Sequence, residues 1–376
     1  MLSKDNNIKA FLELIRAGLW EKEARLLSFG KVDYDVVMRL AEEQSVVGLV
    51  TAGLEQVQDV KVPKELLLQF VGHALQLEQQ NMTMNAFIAT FIERIRREGI
   101  YTILVKGQGI AQCYEKPLWR ACGDVDLLLS DSNYDKTREW LQSIGKPCIE
   151  ENAYKKRVEF DIDGFKVELH GTMRGELGKR IDKVIDEVQR SIFYDGNVRS
   201  CSFGRTTVFL PSADCDVIII FTHILQHFFR GGIGLRQICD WCRLLWMYRE
   251  SLDLRLFETR IRKAGLMSEW LAFGALAVDY LGMPKEAMPM YSSKKKWKRK
   301  SKKIMDYVVK VGNFGHNRDF SYLTNNHPVV VRKIISFCRQ IKQSSCLVSI
   351  FPKDAIMTLY SYFVRGTAQF VNETKG

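Results

Sequence analysis

A block of short apolar strands between two helical stretches is the feature that most constrains the fold of this chain. Residues 5–98 follow the helical period of apolar side chains, Gly99 is placed to end the last helix, and the pattern becomes helical again from Pro211. YTILV at 101–105 and VDLLL at 125–129 are instead short and rich in β-forming residues. We therefore predict an α+β fold with three parts, an N-terminal helical region (1–98), a mixed α/β domain (99–210) and a C-terminal helical domain (211–376).

The mixed domain also contains a strong hairpin signal. Two alternating segments, 156–162 and 165–170, flank the turn dipeptide Asp163-Gly164. Three further short strands are predicted at 191–194, 198–203 and 206–210. These segments together predict a small mixed β-sheet with helical regions on both sides of it in the sequence.

The positive charge of the chain is concentrated in one segment. Lys and Arg number 55 and Asp and Glu 44, so the net charge is +11, and eight of the basic residues lie in KKKWKRKSKK at 294–303. The remainder carries only +3 (11 − 8), so a nucleic-acid surface over the whole protein is not implied. Lys294–Lys303 itself allows RNA or DNA binding through its lysines and Trp297, but a solvated loop or helix is favoured. The tail from 303 to 371 is predicted to be helical with a break at 312–319.

Cysteine usage and hydropathy indicate a reduced chain without membrane spans. The nine cysteines are an odd number scattered among apolar neighbours, which is typical of reduced thiols. Cys239 and Cys242 form one pair in a helical pattern, where core packing is favoured over a zinc site. The N-terminal residues do not form a signal peptide, and no apolar run reaches the length of a membrane span. We expect a cytoplasmic protein without membrane contact, and we predict no particular oligomeric state.

Two aspartates open the second apolar strand. Asp124 and Asp126 are two residues apart, and side chains alternate faces along a strand, so both carboxylates point to the same side. Two adjacent negative groups repel unless a cation lies between them, and Mg²⁺ prefers such oxygen ligands. Glu168 becomes a third carboxylate on that face if its strand pairs beside VDLLL, and three carboxylates can support metal-assisted phosphoryl transfer. A solvated turn is the other interpretation of the aspartate pair alone.

Candidate phosphate-binding residues surround the turn before this strand. In Lys106-Gly107-Gln108-Gly109 the glycines permit close approach of the backbone to a phosphate, and Lys106 can neutralise phosphate charge. A plain strand–helix turn is the other interpretation. Arg120 is either a second phosphate-binding residue or a surface arginine of the loop.

Three histidines are further candidate site residues. His223 and His227 are four residues apart on a predicted helix and share a face, but the glutamate of an HExxH zinc motif is absent between them. Packing at a domain interface is the favoured interpretation of this pair. His170 ends the strand that carries Glu168, which places it beside the predicted metal ligands.

The stretch from Leu104 to Ser130, LVKGQGIAQCYEKPLWRACGDVDLLLS, followed by VELH at 167–170, resembles the uncharacterised nucleotidyltransferase family of the polymerase-β-like superfamily. The positions that carry this resemblance are Lys106, Gly107, Tyr114, Arg120, Asp124, Asp126, Glu168 and His170. A weaker resemblance continues through 222–245, where such proteins have a histidine-rich helix and an aspartate-bearing helix; Asp240 occupies the latter position and joins the three histidines as an acceptor-side candidate.

The resemblance implies a Mg²⁺-dependent transfer of a nucleoside monophosphate from an NTP, ATP included, to a hydroxyl of a small molecule, sugar or protein. Asp124, Asp126 and Glu168 would bind the metal and carry the catalysis, and Lys106, Gly107, Gln108 and Arg120 would hold the nucleotide. Gln108 replaces the usual serine of the phosphate turn, and Glu168 replaces the commoner aspartate. The alternative is therefore a non-catalytic module of the same fold that binds a nucleotide or a partner.

Overall fold

The computed structural model describes residues 5–152, 156–313 and 345–357, except the side chains of 149–152. The α-helices are α1 (Asn6–Trp20), α2 (Tyr34–Glu43), α3 (Val47–Leu54), α4 (Lys64–Arg97), α5 (Gly107–Ala111), α6 (Asp131–Ile144), α7 (Lys179–Tyr194), α8 (Ala213–Arg230), α9 (Leu235–Met247), α10 (Leu254–Ala264), α11 (Met267–Asp279) and α12 (Lys295–Val311). The strands are β1 (Ile103–Val105), β2 (Val125–Leu128), β3 (Lys146–Asn152), β4 (Arg157–Ile162), β5 (Phe165–His170), β6 (Val198–Phe203) and β7 (Thr206–Pro211). The predicted α+β class is confirmed.

The main sheet is mixed and has five strands in the order β1-β2-β5-β4-β3. Strands β2 and β5 run parallel, with Asp126 opposite Glu168 and Leu128 opposite His170, whereas the other neighbouring pairs are antiparallel. Strands β6 and β7 form a separate two-stranded sheet. The predicted hairpin joins β4 to β5, and its turn residues Asp163 and Gly164 both have positive φ angles (53° and 83°), as a type I′ turn requires.

Alternation along the strands separates two faces of the sheet. One face packs against α4 and α6 in an apolar cluster that includes Val125, Leu127, Val158, Phe160, Val167 and Leu169. The residues between them point to the other face, where Asp126, Glu168 and Arg157 lie. The helices pack largely into a second apolar cluster built from α1, α3, α7, α8, α9, α11 and α12. The sheet thus presents its polar face toward the C-terminal helices.

One predicted strand differs from the structure, whereas the basic segment, which was predicted to be a loop or a helix, is helical. Residues 191–194 are the last turn of α7 rather than a strand, because Val184, Val188 and Ile192 continue a buried helical stripe to the end of this segment. Residues 295–303 begin α12, in which Trp297 and Ile304 are buried while most of the lysines remain exposed. The helical prediction for 303–371 lies largely outside the described residues, although α12 and short helical segments at 345–348 and 352–357 agree with it.

In the described residues, none of the helices combines the length and the apolar character that crossing a membrane requires.

Candidate active site

A cleft of about 390 Å³ opens where β2 and β5 face α8 and α9. Ten of the eleven predicted site residues line it, namely Lys106, Gly107, Arg120, Asp124, Asp126, Glu168, His170, His223, His227 and Asp240. Gln108 does not: its buried side chain donates a hydrogen bond from Nε2 to Asn81 Oδ1 on α4, at 2.6 Å. This amide joins α5 to α4, so the side chain of Gln108 is directed away from the cleft, and nucleotide binding by Gln108 stays a prediction.

The parallel pairing of β2 and β5 brings two carboxylates together. Asp126 and Glu168 are direct neighbours across the two strands, and each is only 3% exposed. With His170 they form a cluster whose potential ligand atoms all lie within 4.8 Å of one another. Asp124 lies outside this cluster, exposed at the mouth of the cleft, and the charge of Asp126 together with partial burial raises the pKa of Asp124.

Cationic and imidazole groups surround the buried carboxylates. Lys106 Nζ donates a hydrogen bond to Asp126 Oδ1 at 2.6 Å, His170 Nε2 lies 2.7 Å from the same oxygen, and Arg157 forms an ion pair with Glu168. Burial alone would raise the pKa of Asp126, but Lys106 and His170 hold that pKa well below its usual range. Burial, reinforced by the charge of Lys106, lowers the pKa of His170 to about 4, so this imidazole is neutral at pH 7.

The turn from β1 to α5 places Lys106 in this cluster. Lys106 has φ 57° and ψ −145°, close to a backbone region that is populated essentially only by glycine. Gly107 follows with φ 36°, and a Cβ there would meet Cys122 Sγ at 3.2 Å and the backbone oxygen of Asp124 at 3.5 Å. The turn therefore lies directly against the loop that carries Asp124, and strain of about 1–3 kcal/mol at Lys106 is held by the surrounding structure.

Arg120 and Asp240 line the cleft but bind each other. Arg120 donates from Nε and Nη2 to the two oxygens of Asp240, at 3.1 and 2.6 Å, and Tyr114 Oη donates to Asp240 at 2.8 Å. All three side chains are buried. Arg120 thus uses its bidentate face on a carboxylate of α9, and Asp240 holds the loop before β2. A contact of Asp240 with an acceptor stays a prediction.

The two helix histidines face the same cleft. The rings of His223 and His227 are 4.4 Å apart, as their spacing on α8 predicts. Burial and the neighbouring His227 lower the pKa of His223 well below its usual value, so that His223 is neutral at pH 7. Among the residues that the structure describes, no third metal ligand joins these two histidines.

The basic segment 294–303 does not supply an aromatic stacking surface. Trp297 is 8% exposed and packs into the helical core, with Lys296 4.3 Å from the centre of its ring. An indole in this position is not accessible to a nucleic-acid base. The exposed lysines of α12 remain a positively charged surface.

Sequence reasoning missed several residues that line the cleft, among them Arg157, Arg236, Gln237 and Asn313. Arg157 lies on the same face of the sheet as Glu168, which the alternation of the hairpin strands already indicated. Arg236 lies one helical turn before Asp240, so the spacing on α9 placed both on one face. No local signal pointed to Asn313, which follows the last residues of α12.

The residues of the cluster fit a divalent cation. Two buried carboxylates and an imidazole are a common donor set for metals, and the nearby Asp124 adds a third carboxylate that is destabilised by Asp126. A cation between these groups would relieve the repulsion that raises the pKa of Asp124. The cluster can therefore hold a metal ion.

Comparison with known proteins identifies a family and shows likeness to solved structures. A family model described as uncharacterised nucleotidyltransferase matches residues 30–282, a range that contains all the predicted site residues. Among solved structures, the chain is similar to an antigenic nucleotidyltransferase-like protein from Paracoccidioides brasiliensis, with 12% sequence identity, a TM-score of 0.31, and coverage of 53% of this chain and 92% of that chain. No curated protein matches the chain.

Proposed function

Since the chain belongs to the family of uncharacterised nucleotidyltransferases, we propose that it transfers a nucleoside monophosphate from an NTP to a hydroxyl acceptor with the help of Mg²⁺. The observation that carries this proposal is the pairing of Asp126 with Glu168 across β2 and β5, with Asp124 at the mouth of the same cleft. The acceptor hydroxyl belongs to a small molecule, a sugar or a protein.

Three carboxylates and one lysine of the cleft have defined tasks in this reaction. Asp124, Asp126 and Glu168 would hold the metal, which would supply positive charge to the phosphate oxygens. The acceptor oxygen forms a bond to the α-phosphorus while the bond from that phosphorus to the bridging oxygen breaks, and pyrophosphate leaves. Glu168 accepts the proton of the acceptor hydroxyl and passes it to water. Lys106 balances the negative charge of Asp126 and of the bound phosphates.

Transfer of labelled nucleotide tests the proposal directly. The protein is incubated with each α-labelled NTP, Mg²⁺ and a cytoplasmic extract, and labelled products are separated. We expect the wild type to transfer label and the double variant Asp124→Asn, Asp126→Asn to lose transfer by at least a hundredfold, because three or more kcal/mol of transition-state stabilisation depend on the metal site.

A matched control keeps this test specific. Asp135→Asn with Asp195→Asn removes two exposed carboxylates outside the cleft and should transfer label as the wild type does. Circular dichroism of both double variants shows whether each is folded. Undiminished label transfer by the folded Asp124→Asn, Asp126→Asn protein would overturn the proposal.

A non-catalytic nucleotide-binding module is the second candidate. It is favoured by the ion pairs of Lys106 with Asp126 and of Arg157 with Glu168, which neutralise both buried carboxylates with the protein's own side chains. This candidate predicts NTP binding that does not require Mg²⁺ and yields no labelled product. Transfer of label by the wild type excludes it.

A further inference from the structure

Helix α9 forms the wall of the cleft across from the carboxylates, and two consecutive residues, Arg236 and Gln237, reach it. Both lie on the cleft with Asp124, which is one of the proposed metal ligands. Their chemistry differs: Arg236 is a cation with a planar set of donors, whereas Gln237 presents an amide.

Arg236 is placed where a phosphate group would be bound. Its Nη1 donates to the backbone oxygen of Ala121 at 2.8 Å, which fixes the guanidinium between the loop before β2 and the cleft. Burial and the adjacent charge of Arg120 lower the pKa of Arg236, so an anion at this point would stabilise the guanidinium. Arg120 directs its bidentate face to Asp240. Guanidinium groups bind phosphate oxygens strongly and in two-point geometry.

Gln237 carries a buried acceptor atom that needs a donor. Its Nε2 donates to Asn313 Oδ1 at 2.8 Å, and Asn313 Nδ2 in turn donates to Ser45 Oγ at 2.7 Å. The side chain is only 5% exposed, yet within the described residues Oε1 accepts no hydrogen bond. Leaving a buried acceptor without a donor is unfavourable, so a ligand with an O–H or N–H group would be bound more tightly by supplying one.

We propose that Arg236 and Gln237 form the nucleotide subsite of the cleft, in which the guanidinium of Arg236 binds a phosphate group and Oε1 of Gln237 accepts a hydrogen bond from an O–H or N–H of the nucleoside. This inference rests on the proposed function, because it takes an NTP as the ligand. It replaces Arg120 by Arg236 as the arginine that contacts phosphate. Arg120 instead positions α9 through Asp240.

Two probes separate the two halves of the subsite. Inorganic tripolyphosphate offers phosphates without a nucleoside, whereas an NTP offers both, and binding of each in the presence of Mg²⁺ is measured by isothermal titration calorimetry. We expect Arg236→Gln to weaken both probes by roughly ten- to a hundredfold, as for the loss of a charged hydrogen bond. We expect Gln237→Leu to weaken the NTP by about five- to tenfold and to leave tripolyphosphate binding unchanged.

Controls for charge and folding accompany these variants. Arg255→Gln removes an exposed arginine of α10 and should bind both probes as the wild type does. Thermal unfolding shows whether each variant is folded. If Arg236→Gln does not fold, Arg236→Lys is used instead, because it keeps the positive charge but lacks the planar guanidinium. We expect it to bind tripolyphosphate more weakly than the wild type does.

The inference is overturned if tripolyphosphate binds equally to the wild type and to folded Arg236 variants, if the wild type binds neither probe, or if Gln237→Leu weakens both probes alike. Failure of the proposed function gives a different result. If the wild type transfers no label but binds the probes in a way that depends on Arg236 and Gln237, the subsite is supported and catalysis is not. Label transfer with binding that is insensitive to Arg236 would overturn the subsite alone.

Discussion

Asp240 accepts hydrogen bonds from two side chains of the segment before β2, and this single carboxylate fixes one wall of the cleft. Arg120 reaches both of its oxygens and Tyr114 reaches one. Arg120 is 8% and Asp240 4% exposed, so neither charge is solvated. Removing one member of a buried ion pair leaves the other charge without compensation, which is far more costly than losing a surface pair.

Asp240→Asn should therefore destabilise the protein strongly. We expect the free energy of unfolding to fall by about 3–5 kcal/mol, because Arg120 would remain charged and buried beside a neutral amide. Urea unfolding measures this loss. Glu258→Gln, which removes an exposed carboxylate paired with Arg262, serves as the control and should cost less than about 1 kcal/mol. Equal losses in the two variants would contradict the structural role given to Asp240.

Lys106 combines a functional side chain with an unfavourable backbone. Its φ of 57° and ψ of −145° suit glycine, whereas its ammonium contacts Asp126. Lys106→Ala and Lys106→Gly both remove the ammonium, but only glycine relieves the strain. We expect Lys106→Gly to be more stable than Lys106→Ala by about 1 kcal/mol, after the larger conformational entropy of unfolded glycine is allowed for. Urea unfolding of the pair decides this, and a more stable alanine variant would show that the turn is unstrained.

Local sequence patterns predicted many of the helices and strands. Alternation predicted that Glu168 shares a face with Asp126 if their two strands pair, and β2 and β5 do pair. The turn dipeptide predicted the hairpin. The strand predicted at 191–194 was wrong because a helical stripe of buried residues extends through it. The direction of the Gln108 side chain could not be predicted for another reason: its partner Asn81 lies 27 residues away on α4, and no local pattern records such a tertiary contact.

Close packing of α3 against the segment before Arg120 is another feature that local patterns do not show. A Cβ on Gly48 would lie 2.0 Å from the backbone oxygen of Trp119. The backbone of α3 therefore contacts the backbone of this loop directly, with no side chain between them. The contact brings the N-terminal helices against the segment that carries Arg120. It explains why a glycine is tolerated inside α3, where its helix propensity is poor.

Gly48→Ala should push α3 away from this loop. We expect a loss of about 1–3 kcal/mol in the free energy of unfolding, because the clash is with backbone atoms that cannot rotate away. Gly72→Ala is the matched control: it lies on the exposed face of α4 with no atom near its Cβ position, and it should stabilise the protein by about 0.5–1 kcal/mol. If both alanines stabilise the protein, the close contact between α3 and the loop does not exist.

The segment 345–357 packs on the C-terminal helices that support the cleft. The ring of Phe351 is 6.1 Å from that of Phe228 and 6.2 Å from that of Phe229, both on α8, which also carries the two histidines of the cleft. Lys300 of α12 lies 4.5 Å from the centre of the Phe351 ring. A polar contact accompanies this apolar one, because Asp354 lies beside the buried Glu269 of α11.

This carboxyl pair should make the stability of the protein depend on pH. Burial, reinforced by the charge of Asp354, raises the pKa of Glu269 to about 8 from the usual 4.5. Between these two values the folded state binds the proton that the unfolded state has released, so the free energy of unfolding falls as the pH rises from 4.5 to 8, by on the order of 4 kcal/mol. Glu269→Gln removes this dependence and should be more stable than the wild type at pH 9.

Urea unfolding between pH 5 and pH 9 measures both proteins, with the exposed Glu258→Gln as the control. If the difference between wild type and Glu269→Gln does not change with pH in this range, Glu269 titrates normally and the polar contact with Asp354 does not form.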